Sequence, residues 1–99
     1  MDPTRTSELL RELGDRWQLN SEGHLERTFA FTNFAKAMAF ANKVAVIADT
    51  EDHHPDLHIA WGRCSVEIWT HQINGLSERD FSLAVKVEGA FIDDGITIG

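Results

Sequence analysis

Ninety-nine residues are enough for one domain and too few for two separate cores. A composition of 42% hydrophobic and 25% charged residues fits an ordinary folded domain and excludes disordered and membrane-embedded classes. A net charge of −7, with no basic run to offset it, argues against direct nucleic-acid binding.

Ser7 to Leu13 reads as a short helix with Leu9, Leu10 and Leu13 on one face, stopped by Gly14. Trp17-Gln18-Leu19 reads as a short strand, followed by turn chemistry at Asn20-Ser21-Glu22-Gly23. From His24 to Phe31 the residues alternate, with Leu25, Phe29 and Phe31 inward and His24, Glu26 and Thr28 outward, completing a hairpin. The period then changes. Phe34, Ala37, Met38, Ala41, Val44, Ala45 and Ala48 recur at three and four residues, an amphipathic helix capped by Thr32 or Asn33. Phe40, Val46 and Ile47 fall outside that stripe and are expected to face another subunit.

Pro55 bars further helix. Leu57–Trp61 and Cys64–His71 predict a second hairpin around Gly62-Arg63, with Val66 and Ile68 on one face and Glu67, Trp69 and His71 on the other. Ser77-Glu78-Arg79-Asp80 opens the last helix as a capping box, stapled by Leu76 and Phe81, and Gly89 is expected to close it. The order α-β-β-α-β-β-α predicts an α+β domain spanning residues 1–99: a four-stranded antiparallel sheet with its helices packed on one face.

Cys64 is the only cysteine, so no intrachain disulfide forms, and a reducing compartment is expected. The start, Met1 to Arg5, lacks a signal peptide's apolar stretch, and Lys36, Asn42, Lys43 and Asp49 interrupt the best apolar run. A cytoplasmic location and no membrane contact follow as expectations.

The reactive side chains gather at one junction. His53 and His54 sit between helix and strand, with Asp49 and Asp52 before them and Pro55 after. Asp49 lies in the last helical turn, against the macrodipole; it is either a solvated helix end or the partner of a nearby histidine. Imidazoles suit proton transfer near neutral pH, though an isolated His-His pair is also compatible with a solvated turn. His24 and His58 read as ordinary strand residues. Zinc ligands are available in His53, His54, His58, His71 and Cys64, but no H-E-x-x-H or C-x-x-C spacing exists. Pro55 also keeps His54 and His58 off a shared helical face, so no metal is expected. No Gly-rich phosphate loop or nucleophile elbow is present.

From Asp49 onward the chain resembles the pterin-4a-carbinolamine dehydratase family. An acidic residue, three residues and His-His-Pro are followed after five more by an aromatic, after nine more by histidine, and after eight more by aspartate. Here these are Asp49, His53-His54-Pro55, Trp61, His71 and Asp80. Trp17 and the run Arg27-Thr28-Phe29-Ala30-Phe31 extend the resemblance upstream. Asp49 stands where glutamate is common and Trp61 where tyrosine is common, and the tail from Gly89 to Gly99 diverges.

The resemblance implies dehydration of 4a-hydroxytetrahydropterin, the adduct left by aromatic amino acid hydroxylases, to quinonoid dihydropterin that a reductase recycles. It implies no metal or organic cofactor. His53 and His71 would be the acid-base pair and His54 would bind and position the pterin. Asp49 and Asp52 would orient the imidazoles, and Trp17 would be either a pocket wall or a plain core residue. Asp80, explained by the capping box, would be more structural than catalytic. Family members form dimers or tetramers, and some hold protein partners, as transcription coactivators or assembly factors; a homodimer or homotetramer is therefore expected, and a protein-binding module is the alternative reading.

Overall fold

The structure, a computed structural model, describes the backbone of residues 1–94 and side chains through Ile92. Helix α1 (Pro3–Leu13) starts earlier than Ser7 because Asp2 accepts the Thr4 amide at 3.2 Å and Pro3 takes the first turn. Gly14, at φ +102°, returns its amide to the Arg11 carbonyl and ends the helix in a conformation that favours glycine.

Four strands follow: β1 (Gln18–Leu19), β2 (Leu25–Ala30), β3 (Asp56–Ala60) and β4 (Arg63–Ile68). They form one antiparallel sheet in the order β1-β2-β4-β3. Leu25 pairs with Ile68 and Phe29 with Cys64, which aligns the apolar faces of β2 and β4 under the helices. Strand β4 stops at Ile68, so His71 stands on a single 3₁₀ turn (His71–Ile73) and not in the strand expected to reach it.

Helix α2 (Phe34–Glu51) is capped by Asn33, whose Oδ1 accepts the Lys36 amide at 2.8 Å. Phe40 is fully buried, its ring 4.6 Å from Phe29, so it belongs to the core and not to a subunit face. Phe34 and Ala45, expected in the core stripe, are exposed. The stripe is rotated toward Ala37, Phe40, Ala41 and Val44, which is where the sheet lies.

Helix α3 (Glu78–Asp94) runs through Gly89. Phe91 packs 5.0 Å from Phe29 and 5.8 Å from Phe31. That burial outweighs the roughly 1 kcal/mol a mid-helix glycine costs. Ile96 and Ile98 lie outside the described residues. Arg27 sits on the core face of β2, 4.1 Å from the Phe29 ring centroid, paired with Glu88. Glu88 also accepts the Trp17 indole N–H at 2.9 Å, while Nε of Arg27 is buried with no hydrogen-bond partner among the described residues. Among the described residues, no helix is long and apolar enough to cross a membrane.

Candidate active site

The C-terminus of α2, the start of β3, the end of β4 and the N-terminus of α3 meet at one end of the sheet. Asp52 makes the junction possible. At φ 53° and ψ 45° it adopts a left-handed conformation that aspartate tolerates better than most residues. The His53 amide then donates to the Ala48 carbonyl at 3.1 Å, and the chain reverses. Arg79 of α3 donates to the carbonyls of Glu51 and Asp52, at 3.3 and 2.9 Å, which ties the reversal down.

The reversal turns His53 inward. Its ring is buried, and Nε2 lies 2.5 Å from Oδ1 of Asp80, a carboxylate with no exposure to solvent. The other oxygen, Oδ2, accepts the Thr70 hydroxyl at 2.9 Å and the Ser77 amide at 2.7 Å. Asp80 therefore does reach back to Ser77, as a capping box requires. The forward half differs: the Asp80 amide donates to the Ser77 carbonyl, and the Ser77 hydroxyl lies 2.7 Å from that of Thr70. Capping occupies one oxygen of Asp80 and His53 occupies the other. A carboxylate only accepts, so ionised Asp80 favours the His53 tautomer with its proton on Nε2.

His54 turns outward and its Nε2 lies 2.9 Å from Oδ1 of Asp49, both exposed. Such a pair contributes little to stability but does restrict the imidazole. His71, next to Thr70, is exposed on a loop closed by the Thr70–Gly75 bridge. The structure thus joins His53 to Asp80 and His54 to Asp49, and His71 follows Thr70, a hydrogen-bond partner of Asp80. The other expected residues are not among them. Asp52 contributes its backbone, and its carboxylate has no imidazole partner among the described residues. Trp61 is 72% exposed in the β3–β4 turn, at the far end of β3 from His53. Trp17 is a core residue that also lines a groove of about 720 Å³ with Leu10 and Leu19.

The chain as a whole matches known proteins in sequence and in fold. The family model described as pterin 4 alpha carbinolamine dehydratase matches residues 1–90. The chain belongs to that family. A Rickettsia canadensis relative, named provisionally as a pterin-4-alpha-carbinolamine dehydratase, is 54% identical over 88 residues, covering 89% of this chain and 81% of the relative. A crystal structure from Brucella melitensis, described as a transcriptional coactivator/pterin dehydratase, superposes with a TM-score of 0.83 at 33% identity, over 91% of this chain and 96% of that one. The fold also recurs, at a TM-score of 0.64 and 18% identity, in a pterin dehydratase-like protein identified as a RuBisCO assembly factor in the alpha-carboxysome, over 79% of this chain and 92% of that one.

Sequence reasoning missed His24. It is buried on the sheet face away from the helices, with Nδ1 2.7 Å from Oε2 of Glu67 and its ring stacked on Trp69. Burial opposes ionisation of Glu67, but hydrogen bonds from His24 and Asn20 and the charges of His24 and His58 outweigh it, holding the carboxyl below its usual range. Glu22, His24 and Glu67 also bring potential metal-ligand atoms within 4.8 Å of one another. None of the five residues considered as zinc ligands from the sequence belongs to this group, and His24 and Glu67 already satisfy each other. Cys64 is buried in the core, which pushes its thiol up to about 11.

Proposed function

We propose that this chain dehydrates a 4a-hydroxytetrahydropterin to quinonoid dihydropterin and water by histidine general acid-base catalysis. The observation that carries the reading is the buried His53–Asp80 pair, 2.5 Å apart, at the same end of the sheet as His54 and His71. A buried carboxylate fixes the tautomer and orientation of a catalytic imidazole, and family membership supplies the substrate class.

The reaction needs two proton transfers. An acid protonates the 4a-hydroxyl, and the N5 lone pair expels it as water, forming the C4a–N5 double bond. A base then takes the N5 proton. His53 and His71 are the pair proposed for these roles, with His54 binding the pterin and Asp49 holding His54. Acid-base assistance of this kind is worth about 10²–10⁴-fold, enough for a leaving group already activated by the adjacent nitrogen. The residues call for no metal and no organic cofactor. Placing this step in tetrahydropterin recycling, after a hydroxylase and before a reductase, belongs to the same proposal. Following quinonoid dihydropterin in a stopped-flow instrument, with and without the protein, tests it.

Oligomerisation accompanies the proposal. Val46, Val85 and Ile92 are 66%, 59% and 66% exposed on α2 and α3, and covering them in a homodimer or homotetramer would help a domain this small. A protein-binding role on the same surfaces is compatible with catalysis, in keeping with the double description of the Brucella relative. The cytoplasm remains the compartment proposed.

A further inference from the structure

Each histidine of the candidate site but one has a polar restraint. His53 is held by Asp80 and His54 by Asp49. His71 is exposed on a three-residue turn, and its imidazole has no hydrogen-bond or ion-pair partner among the described residues. What touches it is Trp69, with ring centroids 4.3 Å apart and planes inclined at 35°.

Trp69 is itself braced. His24 lies against the same indole at 4.0 Å with the planes only 2° from parallel, because the pairing of Leu25 with Ile68 brings the residue before one beside the residue after the other. His24 is buried, and Nδ1 lies 2.7 Å from Oε2 of Glu67. Glu67 takes a second hydrogen bond from Nδ2 of Asn20, also at 2.7 Å. Asn20 in turn accepts the amides of Glu22 and His24 through Oδ1, at 2.9 and 3.0 Å. A continuous series of contacts thus runs from the β1–β2 turn through a charge-assisted pair and an indole to His71. Of these residues, only His71 belongs to the spacing motif.

We propose that Trp69, braced by His24 and Glu67, is a positioning residue that confines the imidazole of His71 to the orientation used in proton transfer. The proposal rests on the acid-base reading of His71. An exposed imidazole on a short turn samples several rotamers, and a ring contact of this kind favours one of them by a factor of roughly 2 to 10. The effect therefore belongs in kcat, with KM little changed.

Two measurements test this. In proton NMR, the His71 ring protons of the wild-type protein should be displaced by the indole ring current and should return toward unstructured-peptide positions in Trp69→Leu. Undisplaced His71 protons in the wild type would overturn the proposal. This arm needs no turnover, so it decides the ring contact even for a chain without dehydratase activity. In steady-state dehydration, Trp69→Leu should lower kcat roughly three- to tenfold, and Trp69→Phe, which keeps a ring, should retain at least about half of it. Adding Trp69→Leu to His71→Ala should cost nothing further, since Trp69 acts through the group already removed. Equal losses from the leucine and phenylalanine variants, or an undiminished effect in the His71→Ala background, would show a merely structural tryptophan. Should Trp69→Leu fail to fold, wild type and Trp69→Phe still carry both the spectral and the kinetic comparison.

Discussion

Nε2 of His53 and Oδ1 of Asp80 lie 2.5 Å apart, joining the loop after α2 to the first turn of α3 across 27 positions of sequence. The contact gives Asp80 two tasks, since its second oxygen holds Thr70 and the Ser77 amide. Asp80→Asn is therefore expected to lower both activity and stability. Three donors lose a charged acceptor, at a cost of about 1–3 kcal/mol. The dehydration rate should fall at least about tenfold, because the amide no longer fixes the His53 tautomer. Urea denaturation and initial rates on the same preparation separate the two effects.

His53→Ala and His71→Ala should each lower the rate at least about tenfold, yet differ in stability. His71 is exposed, so its variant should melt with the wild type. His53 is buried against a carboxylate, so its variant should lose about 1–3 kcal/mol by stranding a charge. Parallel melts by circular dichroism check the contrast; equal melting temperatures would show that His53 is not holding Asp80.

The secondary structure was legible because each element carried its own local signals. The Asn20–Gly23 and Gly62 turns marked the hairpins, and the three-and-four period of α2 marked the helix. Relationships between elements beyond the two hairpins and the layer order were not legible. Strand order β1-β2-β4-β3 joins β2 to a strand that does not follow it in sequence, and this pairing alone brings His24 to Glu67 and Trp69. Alternation put His24 on the correct face but could not show that the face was occupied. Asp80 was half legible for a related reason: a capping box explains one carboxylate oxygen, and only the fold reveals that the other meets His53. Gly89 looked like a helix end because the packing of Phe91, which carries α3 past it, is a tertiary effect.

Glu67 gives the fold an acid-sensitive contact. Its carboxyl is held below the usual value near 4.5, so it binds a proton less readily folded than unfolded. Its contribution to stability is complete above that value and is lost as pH falls through the depressed one. Glu67→Gln should be about 1 kcal/mol less stable than wild type near neutrality, with the gap closing as pH falls through the depressed carboxyl range. Denaturation curves at both ends of the range test the sign.

A chain ending at Glu88 would lose the Phe91 contacts with Phe29, Phe31 and Phe40. Truncation should therefore destabilise the domain by roughly 2–4 kcal/mol, beyond any effect on assembly. Point substitution is the cleaner probe of association. Light scattering at micromolar concentration should give a dimer at least for the full chain and a smaller mass for Val46→Asp. A monomeric wild type would remove the oligomer from the account.

Prolonged dialysis against a chelator should leave the dehydration rate and the melting temperature unchanged. Loss of either, restored by zinc, would redirect attention to Glu22, His24 and Glu67 as ligands.

The most direct test is the stopped-flow rate of quinonoid dihydropterin formation from freshly generated 4a-hydroxytetrahydropterin, comparing wild type with the His53→Ala/His71→Ala double variant. Wild-type protein at catalytic concentration should accelerate the step by roughly 10²-fold or more, and the double variant should leave it near the spontaneous rate. A wild-type rate equal to the spontaneous one, or a double variant as fast as wild type, would contradict histidine-catalysed dehydration by this chain.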